Sequence, residues 1–363
     1  MLFGVFFGLF SGVVGTLVAL AYFLPQQVVT DTRVPLRFGR TVTVNDRPEW
    51  TDVRFGAAER AETVFFPPAA DKGGLVAGAY VASEAVGIGV VLTSDGWVLT
   101  HVDALAVQDP NRLIAVVDGK SYPVRAVARD GYSGAAFLKL DGVNFPVTSF
   151  GDDTQISSGD SLFVFDASHG IRRVEVIGRA DWPSHEAGDF VQSSERIQQV
   201  LRVEPVSGLL PGAAVIDRTG QMVGIYSRRE NGDAWVVPLG SFFNQISAIL
   251  RGNAVSRPFL GVNYIDLSRL AVTSVDGSGR RGAQLTATPD GRKPAVLRRS
   301  PAEIAGLRAG DIISAINDDE ISAKRPFADM LAQYDPGSKV IIKYRRGTLE
   351  ATAEVNLGTA PTN

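Results

Sequence analysis

Residues 203–225 read Val203-Glu204-Pro205-Val206-Ser207-Gly208-Leu209-Leu210-Pro211-Gly212-Ala213-Ala214-Val215-Ile216-Asp217-Arg218-Thr219-Gly220-Gln221-Met222-Val223-Gly224-Ile225. Apolar runs on either side of Asp217-Arg218-Thr219-Gly220 predict a β-hairpin, since Asp and Gly suit the turn and the flanking β-branched residues suit strands. A second stretch, Gly87-Ile88-Gly89-Val90-Val91-Leu92-Thr93-Ser94-Asp95-Gly96-Trp97-Val98-Leu99-Thr100, has the same build around Ser-Asp-Gly. Its Gly-x-Gly is not a dinucleotide fingerprint, because the third glycine and the following helix are missing. Further short β-rich runs lie at 113–117, 122–128, 135–140, 161–165, 173–178, 199–204, 212–216, 222–227 and 234–238, separated by turn residues. That spacing predicts an all-β sandwich or barrel. Phe242, Phe243, Ile246, Ile249 and Leu250 then recur at helical spacing up to Gly252, so 241–251 reads as a helix.

The chain has 363 residues, enough for two or three domains. A net charge of −3 argues against nucleic acid as a partner, since such domains carry a strong basic excess. The local cluster Arg280, Arg281, Arg292, Lys293, Arg298, Arg299 sits among Gly, Ser and Pro and reads as a solvated loop. There are no cysteines and only three scattered histidines, so neither a disulfide framework nor a metal site is expected. No cofactor is expected either.

Residues 2–24 carry no charge and are long enough to span a bilayer as a helix. A secretory signal cleaved near Ala19-Leu20-Ala21 is the rival reading, but the apolar run is long for a signal core and no Lys or Arg precedes it. An uncleaved single-pass anchor is expected, although Arg33, Arg37 and Arg40 on its C-terminal side run against the positive-inside rule. Gly4, Gly8 and Gly12 recur every four residues, a small-xxx-small face suited to close helix packing. Residues 25–75, mixed and proline-bearing, read as a linker with a short helix near Ala57–Thr63.

The string from Gly87 to Thr100 resembles the HtrA family of exported, often membrane-anchored serine proteases, and 203–225 resembles the nucleophile loop of trypsin-like enzymes. Phe150-Gly151-Asp152 also fits. From Arg257 onward the chain resembles the PDZ domain that follows those proteases. Pro258-Phe259-Leu260-Gly261-Val262 matches the carboxylate-binding loop and first strand, and Ser300–Ile313 matches the helix-turn-strand segment. Within it Ser300 is a natural N-cap and Glu303 completes a capping box. Residues 326–334 are expected as the helix that walls the groove, with 339–344 and 351–355 as closing strands. The resemblance covers residues 76–357.

The resemblance implies a mainly β fold. Its parts would be a transmembrane anchor at 1–24, a linker at 25–75, a trypsin-like double β-barrel at 76–252, an α+β PDZ domain at 257–357 and a tail at 358–363. Counted without gaps, the family's catalytic His, Asp and Ser fall on Asp103, Gly134 and Pro211. Glycine cannot orient an imidazole, and proline has neither hydroxyl nor N–H to offer a nucleophile or an oxyanion hole. A Ser-His-Asp site is recovered only if His101 moves by a two-residue deletion, Asp130 by a four-residue shift and Ser207 by a four-residue insertion. The expected function is therefore that of an inactive, HtrA-like scaffold, adaptor or holdase in envelope quality control. Its body would lie on the extracytoplasmic side of a bacterial inner membrane, as a homotrimer. Peptide ends and unfolded segments would pair with the strand after Gly261, held by Phe259, Leu260, Gly261 and Val262 and by Met330 and Leu331 of the helix. An active serine endopeptidase with a rearranged site is the alternative, and a regulatory subunit assembling with an active relative is a third.

Overall fold

The computed structural model describes residues 32–35, 41–44, 52–68, 80–105, 109–181, 191–197, 199–228, 232–269 and 281–361. The expected anchor, 2–24, lies outside them. No helix among the described residues is long and apolar enough to cross a membrane. Residues 1–50 form a unit of their own, in which β1 (Thr32–Pro35) and β2 (Thr41–Val44) pair antiparallel.

The larger unit starts with α1 (Asp52–Ala61), which runs directly into β3 (Glu62–Phe66). Part of the stretch read as linker is therefore barrel. Phe55, Ala58 and Ala61 of the helix are buried, with Phe55 edge-on to Phe163 at 5.3 Å. Next come β4 (Gly87–Val91), β5 (Trp97–His101), β6 (Ile114–Val117), β7 (Lys120–Asp130) and β8 (Ala135–Leu140). With β3 they close a barrel in the order β3-β4-β5-β8-β7-β6. The β4–β5 turn needs Gly96, at φ 96°, a left-handed conformation that costs other residues dearly.

A second barrel uses β9 (Ser161–Phe165), β10 (Ile171–Asp181), β12 (Gln199–Val203), β13 (Ala214–Ile216), β14 (Met222–Arg228) and β15 (Ala234–Pro238), closed as β10-β12-β15-β14-β13-β9. The hairpin at 203–225 is its β13–β14 pair. Asp217 caps that turn, accepting hydrogen bonds from the N–H groups of Thr219 and Gln221. Helix α2 (Phe243–Leu250) leads out of the barrels.

The C-terminal domain has its own core around Tyr264, Leu285, Ile313, Phe327, Val340 and Ile342. It consists of β16 (Pro258–Phe259), β17 (Asn263–Asp266), β18 (Ala283–Leu285), α3 (Pro301–Ile304), β19 (Ile312–Ile316), β20 (Asp319–Glu320), α4 (Phe327–Leu331), β21 (Lys339–Arg346), β22 (Leu349–Asn356) and β23 (Gly358–Thr359). Ser300 caps α3 by accepting from the Glu303 N–H at 3.2 Å, but the Glu303 carboxylate takes the Arg299 N–H at 2.6 Å rather than that of Ser300. The start of the expected tail is strand β23, paired with β16. The main sheet runs β11-β17-β18-β19-β21-β22, and its edge strand β11 (Gln192–Ser193) belongs by sequence to the second barrel.

Candidate functional site

Strand β5 ends at His101, held opposite Ala135 of β8, while the Val102 N–H donates to Gly134 O at 2.8 Å. The ring is only 4% exposed. On one side its Nδ1 lies 3.1 Å from Asp103 Oδ2 and 3.3 Å from the Asp103 N–H. On the other, Nε2 is buried with no hydrogen-bond partner, and a Cβ added to Gly134 would sit 2.5 Å from it. Gly134 also has φ 70°, so it supplies both a left-handed turn and the space the ring fills.

The loop before β13 presses on the same strand end. Gly212 has φ 91°, and a Cβ there would meet Ile88 O at 2.3 Å and the His101 N–H nitrogen at 2.9 Å. Gly212 donates its N–H to Tyr226 O at 2.8 Å. Proline at 211 has no backbone N–H of its own to aim at a developing oxyanion. The structure thus brings together His101, Asp103, Gly134 and Gly212, the neighbour of Pro211.

The other two candidates are engaged elsewhere or face solvent. Asp130 is buried, and its Oδ2 accepts from Ser133 Oγ at 2.6 Å and Arg257 Nε at 2.6 Å, with the Tyr132 N–H on Oδ1 at 3.1 Å. Arg257, itself 3% exposed, also donates to Ser241 O at 2.6 Å. Asp130 therefore ties the first barrel to the segment entering the C-terminal domain. Ser207 is exposed in a turn before Gly208.

A second site lies on the C-terminal domain. Leu260, Val262, Met330 and Leu331, expected to line its pocket, are each at most 4% exposed and belong to the domain's core. The loop N–H groups expected to hold a peptide's C-terminal carboxylate are here turned to a side chain of the same chain. Glu195 Oε1 accepts from Gly261 at 2.9 Å and Leu260 at 3.3 Å. Upstream of it, Ser193 lies opposite Asn263 and Gln192 opposite Tyr264 across β11 and β17. Ser194 donates its N–H to Val262 O at 3.0 Å, and its Oγ accepts from the Val262 N–H at 3.2 Å. Beyond the turn, the Gln199 N–H donates to Asp329 of α4 at 3.2 Å. A cleft of about 890 Å³ opens beside α4, lined by Arg179, Gln199, Lys324 and Gln333 among others.

Sequence reasoning did not reach Glu195, Arg257 or Glu62. Glu62, buried in β3, meets His169 Nδ1 at 3.1 Å. Burial pushes the Glu62 carboxyl up, and the hydrogen bond that the His169 imidazole gives to Glu62 pushes the imidazole up. Among the described residues no group of His, Asp and Glu is arranged to hold a metal.

Two closed six-stranded barrels, a β5-end histidine at a neighbouring-barrel loop, and a following groove domain define a trypsin-like body with a PDZ domain. Comparison with known proteins agrees. The trypsin-like peptidase domain family matches residues 87–225 and the PDZ domain family matches 258–357. A probable periplasmic serine endoprotease DegP-like of Chlamydia trachomatis is 23% identical over 76% of this chain and 54% of its own length. Another, of Marinomonas sp., is 26% identical over 77% of this chain and 58% of its own. The chain thus spans little more than half the length of these curated relatives. In fold it is similar to the HtrA-type protease AlgW solved with a tripeptide, at TM-score 0.59 and 20% identity over 85% of this chain and 96% of that one. The chain belongs to the HtrA family.

Proposed function

We propose that this protein is an HtrA-type factor of the bacterial envelope that binds exposed peptide ends and unfolded segments through its PDZ domain, without cleaving them. The chemistry of the barrel cleft supports the inactive state. His101 Nε2 has no partner and abuts Gly134, Asp130 is spent on Arg257, and proline occupies position 211. A hydrolytic site needs nucleophile, base and orienting group within hydrogen-bond reach of one another. The envelope location and peptide binding draw on the relatives, which are named periplasmic, and on the AlgW structures solved with peptides. An anchor at residues 2–24 and a homotrimeric assembly complete the proposal.

A second reading, an active serine endopeptidase with a rearranged site, has the names of the relatives on its side, since those are called serine endoproteases. Degradation of unfolded casein by the protein, beside a Ser207→Ala variant, separates the two. No cleavage by either is the expected result. Cleavage by the parent alone would make Ser207 the nucleophile and the second reading correct.

A further inference from the structure

The groove domain already has an occupant, and it comes from the chain itself. The segment Gln192–Glu195 runs antiparallel to β17 and ends with a carboxylate in the Leu260–Gly261 loop. Strand pairing followed by a carboxylate on backbone N–H groups is the geometry of peptide capture by strand addition. Here the paired strand ends at Ser193, Ser194 adds its N–H to Val262 O, and the next side chain supplies the carboxylate. Two hydroxyls hold that charge in place: Ser194 Oγ donates to Glu195 Oε1 at 2.6 Å, and Ser193 Oγ donates to Oε2. Glu195 is 6% exposed and Ser194 1%, so the loop's donors are unreachable while the segment stays.

We infer that Gln192–Glu195 is a displaceable internal ligand of the PDZ groove, and that outside peptides bind by competing with it through a free C-terminal carboxylate. This rests on the peptide-binding reading above. The occupant supplies strand pairing and charge-assisted hydrogen bonds but no apolar anchor, since Gln192, Ser193 and Ser194 are all polar. A peptide that reproduces the polar part and ends in an apolar residue adds buried apolar area. It therefore competes despite the high effective concentration of a tethered segment.

The test titrates a fluorescein-labelled peptide ending in Val-Gln-Ser-Val with a free carboxylate, and the same peptide as its C-terminal amide, against the full chain. Two variants accompany the parent. Glu195→Ala removes the internal carboxylate. Ser193→Cys with Asn263→Cys places thiols on directly opposed residues, in a chain that has no other cysteine. Glu195→Ala is expected to bind the free-carboxylate peptide about tenfold or more tightly than the parent and to leave the amide weak. The cysteine pair is expected to oxidise readily, to lose peptide binding when oxidised and to regain it on reduction. Equal affinity of parent and Glu195→Ala, or binding by the oxidised pair, overturns the inference while leaving peptide binding intact. No binding by any form defeats the peptide-binding reading itself, and the inference falls with it.

Discussion

Gly134 and His101 fit as space and filler: a single added carbon on Gly134 would lie 2.5 Å from the imidazole Nε2. The absence of a side chain at Gly134 is thus what leaves room for the imidazole. The ring is held by its other nitrogen at Asp103, two residues further along the same strand end.

Gly134→Ala should therefore be costly although it adds one methyl. Overpacking of this kind costs about 1–3 kcal/mol, and a non-glycine residue at φ 70° adds about 1–2 kcal/mol more. Urea unfolding reads the sum directly. An unchanged midpoint would mean that the ring swings out freely and that Gly134 is not what shapes its position.

The Asp130–Arg257 pair makes a sharper energetic prediction. Both side chains are 3% exposed, so removing one leaves a buried charge unpaired, at a cost of about 3–5 kcal/mol. Asp130→Ala should show that loss in chemical denaturation. The double variant Asp130→Leu with Arg257→Met should recover most of it, because apolar replacements of a buried pair are often neutral. A double variant as unstable as the single one would assign the effect to packing rather than charge.

Much of this fold is legible in the chain. Both hairpins announce themselves through apolar runs and turns with glycine at positive φ, as at Gly96 and Gly220. The groove domain shows itself through Ser300–Ile313 and the Phe259–Val262 loop. What escapes are elements whose pattern is set by a distant partner. Strand β3 begins Glu62-Thr63, polar residues that read as linker but are buried, with His169 from the other barrel meeting Glu62. Strands β7 and β10 outrun their apolar stretches because many of their residues face solvent. Gln192–Glu195 has no strand pattern at all and becomes one only against β17. Asp130 looks like a turn former in sequence, since its partner Arg257 lies 127 residues away.

The Glu62–His169 contact predicts a pH dependence of stability. The folded chain holds the His169 proton above its ordinary value of 6.5, and burial raises the Glu62 carboxyl above 4.5. Both groups bind protons more tightly when folded, so their contribution is complete below the unfolded values and is lost as pH rises through the folded ones. Melting temperatures should fall in the parent as pH rises above the ordinary histidine value of 6.5. His169→Gln should flatten that part of the curve. Parallel curves for the two proteins would remove the linkage.

Restoring a hydroxyl should not restore proteolysis. Pro211→Ser supplies both the nucleophile and the missing N–H, and those are the two deficits of position 211. A serine hydroxyl still needs a base to take its proton, and the ring available is fixed with Nε2 buried against Gly134 and Nδ1 at Asp103. Asp130 is held by Arg257 and cannot turn to support it without breaking a buried ion pair. Pro211→Ser is therefore expected to remain unlabelled by a serine-directed fluorophosphonate and inert toward casein. Labelling of this variant above the parent would place His101 within reach of residue 211 and make the loss of catalysis a matter of one substitution.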